Sequence, residues 1–254
     1  MKLILTSLSL THREILKFVR VRNRLTGAFL QPLIFWVILG SGMKASFKPP
    51  GFDIPYMDYI FPGIILMIVL FTAIFSTFSI IEDRKEGFLQ GVLASPAPRA
   101  SIIFGKCIGG SLMGLFQSLL MCAIILTPFV DLSLSLEKLL LLIIILFYTG
   151  FLLTNLGFVF AWPMKSTQGF HAIMTVLLFP MWIFSGAAFP VEGVPIWLEI
   201  VMQINPLTHA LKLIQYCFDM SINNSGNFGY SILYLAIWSI CLLLVSLRQI
   251  RSLK

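Results

Sequence analysis

Charge is scarce in this sequence. Only 11% of its 254 residues are Asp, Glu, Lys or Arg, where a soluble domain carries about 25%. That composition excludes an ordinary water-soluble domain. Four cysteines (Cys107, Cys122, Cys217 and Cys241) are scattered without CxxC or metal-ligand spacing. They read as small apolar fillers, so no disulfide framework or structural zinc site is expected. A G-x-x-x-x-G-K-[ST] phosphate loop is missing, since FGKC at 104–107 lacks the first glycine and the hydroxyl. Short alternating strands of the membrane-barrel kind are missing too. No cleavable leader is expected, because the N-terminal arm is too charged and its apolar stretch too interrupted.

Long apolar runs are what the sequence does have, with 58% hydrophobic residues. Six stretches, roughly 25–43, 60–81, 107–127, 139–161, 170–188 and 230–247, can each cross about 30 Å of hydrocarbon as a helix. The fold class is therefore all-α: a polytopic membrane protein read as a single permease domain over 1–254. No Asp, Glu, Lys or Arg lies inside these stretches, which weighs against ion-coupled carriers and charge-lined channels.

An even number of spans puts both termini on one side, and the positive-inside rule says which. With cytoplasmic termini, fourteen of the eighteen Lys and Arg residues fall inside. Lys44, Lys48, Lys138 and Lys212 remain outside, with seven of the eleven acids. The net charge of +7 thus marks topology, and no nucleic-acid partner is implied. The expected location is the plasma membrane of a bacterium, its inner membrane, with both ends cytoplasmic.

Residues 1–24 read as an amphipathic helix on the membrane surface. Arg13, Lys17, Arg20 and Arg24 share one face, opposite Leu8, Ile15 and Val19. Those cations are expected to face anionic lipid headgroups. Residues 189–212 are apolar but broken by Pro190, Pro195 and the Asn205-Pro206 pair. A pair of short re-entrant helices on the extracytoplasmic side fits them better than a span. Gly105, Gly109, Gly110 and Gly114 form a small-residue stripe for close helix packing, within one protomer or between two.

The segment IEDRKEGFLQGVLASPAPRASI, 81–102, sits between two uncharged spans. EDRKEGFLQGVL can make about three helical turns, with acids at its start where the helix dipole favours them. Pro96 and Pro98 end it. Phe88, Leu89, Val92 and Leu93 form an apolar stripe that needs a partner.

KEGFLQGVLASP resembles the cytoplasmic loop of type-two ATP-binding-cassette (ABC) exporter permeases. There an R-E-x-G-T-x-E-x-L-x-x-[ST]-P pattern follows the second span. Lys85, Glu86, Gly87, Leu93, Ser95 and Pro96 match it, while Phe88 and Gln90 stand where Thr and Glu are usual. SGAAFPVEGVPIWLEIVMQINPLTHAL, 185–211, is similar to that family's segment before the last span.

The resemblance implies that 82–100 is a coupling loop seated in a separate ATPase. Its contact residues would be Glu82, Asp83, Arg84, Lys85, Glu86, Gly87, Phe88, Leu89, Leu93, Ser95 and Pro96. It implies two ABC ATPase subunits, which would hold the ATP and Mg, and a second permease copy or a related permease. No cofactor is expected on this chain itself. The cargo path would run between protomers, with Phe75, Asn155 and Phe158 as candidate lining. The expected function is export of an amphipathic, drug-like or lipid-linked cargo, with glycan export as the alternative. A passive channel subunit would work without any ATPase. An integral membrane enzyme acting on lipids would need clustered acids or histidines at the interface. The only acid cluster, Glu82, Asp83 and Glu86, is interleaved with Arg84 and Lys85.

The topology gives a direct expectation. An impermeant label should reach a tag at residue 48 or 138 from outside the cell, and should not reach one at residue 254. The reverse pattern would invert the orientation.

Overall fold

The computed structural model describes residues 2–43, 54–191, 193–220 and 225–251. Lys44, Lys48, Glu192 and Lys254 lie outside the described residues, as do the tag positions 48 and 254. The described residues form α1 (Lys2–Arg20), α2 (Arg22–Met43), α3 (Tyr56–Lys85), α4 (Phe88–Ala94), α5 (Ala100–Cys122), α6 (Leu136–Ala161), α7 (Thr167–Trp182), α8 (Ile196–Ile204), α9 (Pro206–Cys217) and α10 (Ser225–Arg251). A 3-10 turn, Ala123–Leu126, follows α5, and a π turn, Ile183–Ala187, follows α7. No strand occurs among the described residues.

Six helical stretches are long and apolar enough to cross a membrane: 22–43, 56–85, 100–126, 136–161, 167–187 and 228–251. They contain the six expected spans almost entirely, but mostly begin or end a few residues further out. The extension matters for charge. Lys106, expected in a loop, lies inside α5, and Glu82 and Asp83 belong to α3.

α3 is the central element, packed against α2, α5, α6, α7 and α9. Its thirty residues span about 45 Å, more than the hydrocarbon thickness. The helix is apolar on every side, as a fully surrounded helix must be. Lipid tails are as apolar as leucine, so burial alone does not hold such helices together. Close contact through small residues does. A Cβ on Gly110 of α5 would stand 2.7 Å from Thr154 Oγ1 on α6 and 2.9 Å from Ser76 Oγ on α3. At Gly105 and Gly109 it would meet Leu10 and Glu14 of α1. The glycine stripe therefore packs within one protomer, against α1, α3 and α6.

Buried side-chain bonds add cross-links. Thr72 Oγ1 donates to Gln117 Oε1 (2.6 Å), and Gln117 Nε2 donates to the Leu25 carbonyl (3.0 Å), joining α3, α5 and α2. Ser246 Oγ donates to Asn155 Oδ1 (2.6 Å), joining α10 to α6.

At the N-terminal end of α3, aromatic donors fix the turn after α7. Tyr59 OH donates to the Gly186 carbonyl (2.7 Å) and Tyr56 OH to that of Ala188 (3.0 Å). Trp182 Nε1 donates to the Gly63 carbonyl (2.7 Å). Gly186 has φ 92°, a left-handed value that a residue with a Cβ rarely adopts. The chain reverses there and passes Pro190. Pro195 then precedes α8. Asn205 caps α9 by accepting from Leu207 N (3.0 Å), with Pro206 at the first helical position, and its Nδ2 donates to the Met181 carbonyl (2.6 Å).

Close packing makes a ranking among glycines. Gly110→Ala should destabilise the detergent-purified protein by about 1–3 kcal/mol. Gly114→Ala, whose Cβ would meet nothing nearer than 3.7 Å, should be neutral or slightly stabilising. Thermal melts of the two variants check this, and equal melting points would contradict it.

Candidate functional site

The site begins where α3 ends. Glu86 N bonds the Glu82 carbonyl (2.8 Å) and Gly87 N the Arg84 carbonyl (3.3 Å). Gly87 then turns left-handed, φ 78°, a common glycine stop to a helix. α4 starts at once with Phe88. The expected three-turn helix over EDRKEGFLQGVL is therefore two elements. Glu82 and Asp83 do not open a helix. They close α3, at the end where the dipole disfavours them by about 0.3–1 kcal/mol each.

Four cations offset that cost. Arg13 grips Asp83 with both guanidinium arms, Nη1 at 3.0 Å and Nη2 at 2.7 Å. Lys17 Nζ donates to Asp83 Oδ1 (2.9 Å) and pairs with Glu82 (3.3 Å) and Glu86 (3.7 Å). Arg24 pairs with Glu82. Lys106 Nζ donates to Asp83 Oδ2, to Glu14 Oε1 (2.6 Å) and to Ser79 Oγ (2.8 Å). Ser79 Oγ in turn donates to Glu14 Oε2 (2.6 Å). Asp83, Glu14 and Lys106 are all buried. Burial alone would lower the Lys17 ammonium, but Asp83, with Glu82 and Glu86, raises it above its ordinary value. Arg13 is raised in the same way: burial opposes the charge, and Asp83 outweighs it. Both stay charged at neutral pH.

This arrangement revises the reading of α1. Ser7, Thr11, Glu14 and Phe18 form its buried face, and Arg13, Lys17 and Arg24 turn toward carboxylates of the same chain. What faces out from α1 is largely apolar: Leu3, Ile4, Leu5, Leu8, Leu16 and Val19 are exposed. Of the four cations expected at the lipid headgroups, Arg20 is the exposed one. The reason is the carboxylate cluster at the end of α3, which attracts cations more strongly than solvent does.

The apolar stripe of the loop is also mostly used within the chain. Leu89 is buried, and Val92 and Leu93 pack against the core. The Phe88 ring lies under the Arg13 guanidinium, 3.5 Å from its centroid. Burying Leu89 alone contributes about 1.5–3 kcal/mol to holding α4. The open side of α4 carries mostly small side chains: Gln90, Gly91, Ala94, Ser95 and Pro96 are exposed, with Lys85 and Glu86 beside them. Ser95 Oγ donates to the Val92 carbonyl (2.7 Å). Arg84 points away, donating to the carbonyls of Met164 (3.1 Å) and Trp162.

The three candidate path residues separate. Asn155 and Phe158 are fully buried, Asn155 against Ser246 and Phe158 stacked on Trp162. Both belong to the protomer core and line no surface, because α10 and the α6 end cover them. Phe75 is half-buried beside α2, 3.9 Å from where a Gly27 Cβ would be. Along α2 runs a shallow, open hollow that includes Thr26, Gly27, Leu30, Gln31, Ile34 and Phe35. Pro190, Pro195, Asn205 and Pro206 frame the α8–α9 pair, remote in sequence and structure from α4. Among the described residues no cluster of His, Cys, Asp or Glu could hold a metal ion.

Sequence reading missed Glu14, Ser79 and Lys106. Glu14 had a signal: with Ser7, Thr11 and Phe18 it forms a stripe at spacings of four, three and four. Lys106 had none, since its role depends on how far α5 extends.

Residues 7–218 match the family model described as ABC-2 type transporter. The chain is 29% identical over 234 residues to the transport permease ycf38 of Cyanophora paradoxa, covering 88% of this chain and 77% of that one. It is 27% identical to the inner membrane transport permease YadH of Escherichia coli strain K12 over 96% of each. It is also 27% identical to YbhR of the same strain, named a multidrug ABC transporter permease, over 67% of this chain and 47% of that one.

Removing one member of a buried ion cluster leaves the others unpaired. Lys106→Met should destabilise the protein by about 3–5 kcal/mol. Lys17→Met, at the more exposed rim, should cost about 1 kcal/mol or less. Melting curves in detergent distinguish the two, and a Lys106→Met protein as stable as the wild type would show the cluster to be dispensable.

Proposed function

Since the chain belongs to the ABC-2 type transporter family as its permease component, we propose that it exports an amphipathic, drug-like or lipid-linked cargo from the cytoplasm. Permeases of this family work with a partner ATPase subunit, and the chain is a transport subunit, not an enzyme. The lipid-enzyme alternative therefore falls, and its acid cluster is neutralised by Arg13, Lys17, Arg24 and Lys106. In the proposed complex two permeases pair with two ATPases, each binding ATP and Mg. The charged end of α3 faces the cytoplasm and the α8–α9 pair dips into the outer leaflet.

The observation that carries this reading is α4. It is a short helix held from behind by Leu89 and Phe88, and its exposed side, Gln90, Gly91, Ala94 and Ser95, is small enough for close approach of another protein. The contact set is thereby narrower than the sequence suggests. Lys85, Glu86, Ser95 and Pro96 stay in it, while Asp83, Arg84 and Leu89 serve the permease itself. The hollow along α2 supports the cargo class. That face of α2 is mostly apolar, with Thr26 and Gln31 as mild hydrogen-bonding groups. Between Asp58 and Glu82, α3 has no acid or base to fit an inorganic ion.

Gly91 offers a clean test, because a Cβ there would meet nothing within 4 Å. Gly91→Trp should insert and melt like the wild type, yet fail to retain the ATPase through purification. Retention would refute docking at α4. In vesicles containing the wild-type complex, a lipophilic dye such as rhodamine 6G should move only with Mg-ATP. Equal movement without nucleotide would identify a passive pore.

A further inference from the structure

We propose that Arg13 is a positioning residue that carries movement of α4 into α1 and α5, in place of the backbone link between α3 and α4. This rests on the proposed seating of the ATPase on α4. The covalent route from α4 to α3 passes through Gly87, which has a left-handed φ of 78° and no side chain to brace it; even a Cβ there would touch only Gln90, at 3.7 Å. Such a residue can absorb rotation and transmits it poorly.

Arg13 bridges the same gap from the side. Its guanidinium lies 3.5 Å from the Phe88 ring centroid while its two arms hold Asp83 at 3.0 and 2.7 Å. Asp83 is held in turn by Lys106 of α5, and Glu14, the next residue after Arg13, is held by that same ammonium (2.6 Å). α1 lies directly on α5, where Gly105 and Gly109 admit Leu10 and Glu14. A push on Phe88 therefore meets a planar, doubly bonded group fixed to two helices. Only arginine supplies both functions at once: a flat cation that stacks on a ring, and a fork that fits a carboxylate. A lysine at position 13 could keep the charge against Asp83 but could not do both together.

Arg13→Lys, Phe88→Leu and the double variant test this in the full-length permease. Hydrogen exchange of 88–94 should quicken about tenfold in each single variant. It should quicken no further in the double, since both remove one contact, while exchange in 100–110 stays unchanged. Additive acceleration, or none, would overturn the proposal. A second measurement uses the ATPase complex with spin labels at exposed His12 and Leu140, in a Cys241→Ser background because Cys241 is exposed. Trapping with ATP and vanadate should shift the distance in the otherwise wild-type protein. Arg13→Lys should abolish the shift although the ATPase stays bound. A full shift in Arg13→Lys refutes the strut. Failure of the wild-type complex to hold its ATPase refutes docking at α4, and the exchange result then decides the strut by itself.

Discussion

Asp83 is the residue on which this architecture turns. It is a buried carboxylate at the unfavourable end of the longest helix, held by Arg13, Lys17 and Lys106. A lone charge in that place would be untenable, since desolvating it costs several kcal/mol. Surrounded by cations, it becomes the point where α1, α3 and α5 meet. The four acids of the segments read as cytoplasmic, Glu14, Glu82, Asp83 and Glu86, all join this one cluster. Arg13, Lys17, Arg24 and Lys106 meet those acids, so acid and base are drawn together at this end of α3.

From that end the rest of the bundle follows by contact of small groups. α5 and α6 approach α3 closely through Gly110, Gly157 and their Ser and Thr neighbours. Tyr56, Tyr59 and Trp182 fasten the far end to the turn at Gly186. One long helix thus connects the charged cluster with the α7–α9 region. A displacement at the cluster has a stiff element along which to travel. Such coupling needs two arrangements with different contacts in each, rather than a reactive group.

The same economy explains the cargo reading. A permease of this family works with a partner ATPase subunit, and between Asp58 and Glu82 the central span carries no acid or base. The proposed cargo surface is the apolar face of α2, with Thr26 and Gln31 as mild hydrogen-bonding groups and Phe75 beside it. Asn155 and Phe158 resembled path residues because polar and aromatic groups in spans are ambiguous. Their burial among α6, α10 and Trp162 resolves the ambiguity.

Much was legible in the residues alone. Runs of about twenty apolar residues must be helical in a membrane, because every backbone N–H and C=O needs a partner there. Pro195, Asn205 and Pro206 announced a break and a restart, and the KEGFLQGVLASP segment announced the family. Local chemistry decides all of these. The direction in which side chains turn is not local. Arg13, Lys17 and Arg24 looked like a lipid-facing row until Asp83 and Glu82 stood opposite them. The Phe88–Leu93 stripe looked open until Arg13 and the core covered it. Lys106 looked like a loop cation until α5 enclosed it. Only the folded chain sets those partners. The bonds from Arg13, Lys17 and Arg24 to the end of α3 join residues 58 to 70 positions apart, and electrostatic attraction depends on distance in space, which sequence spacing does not give.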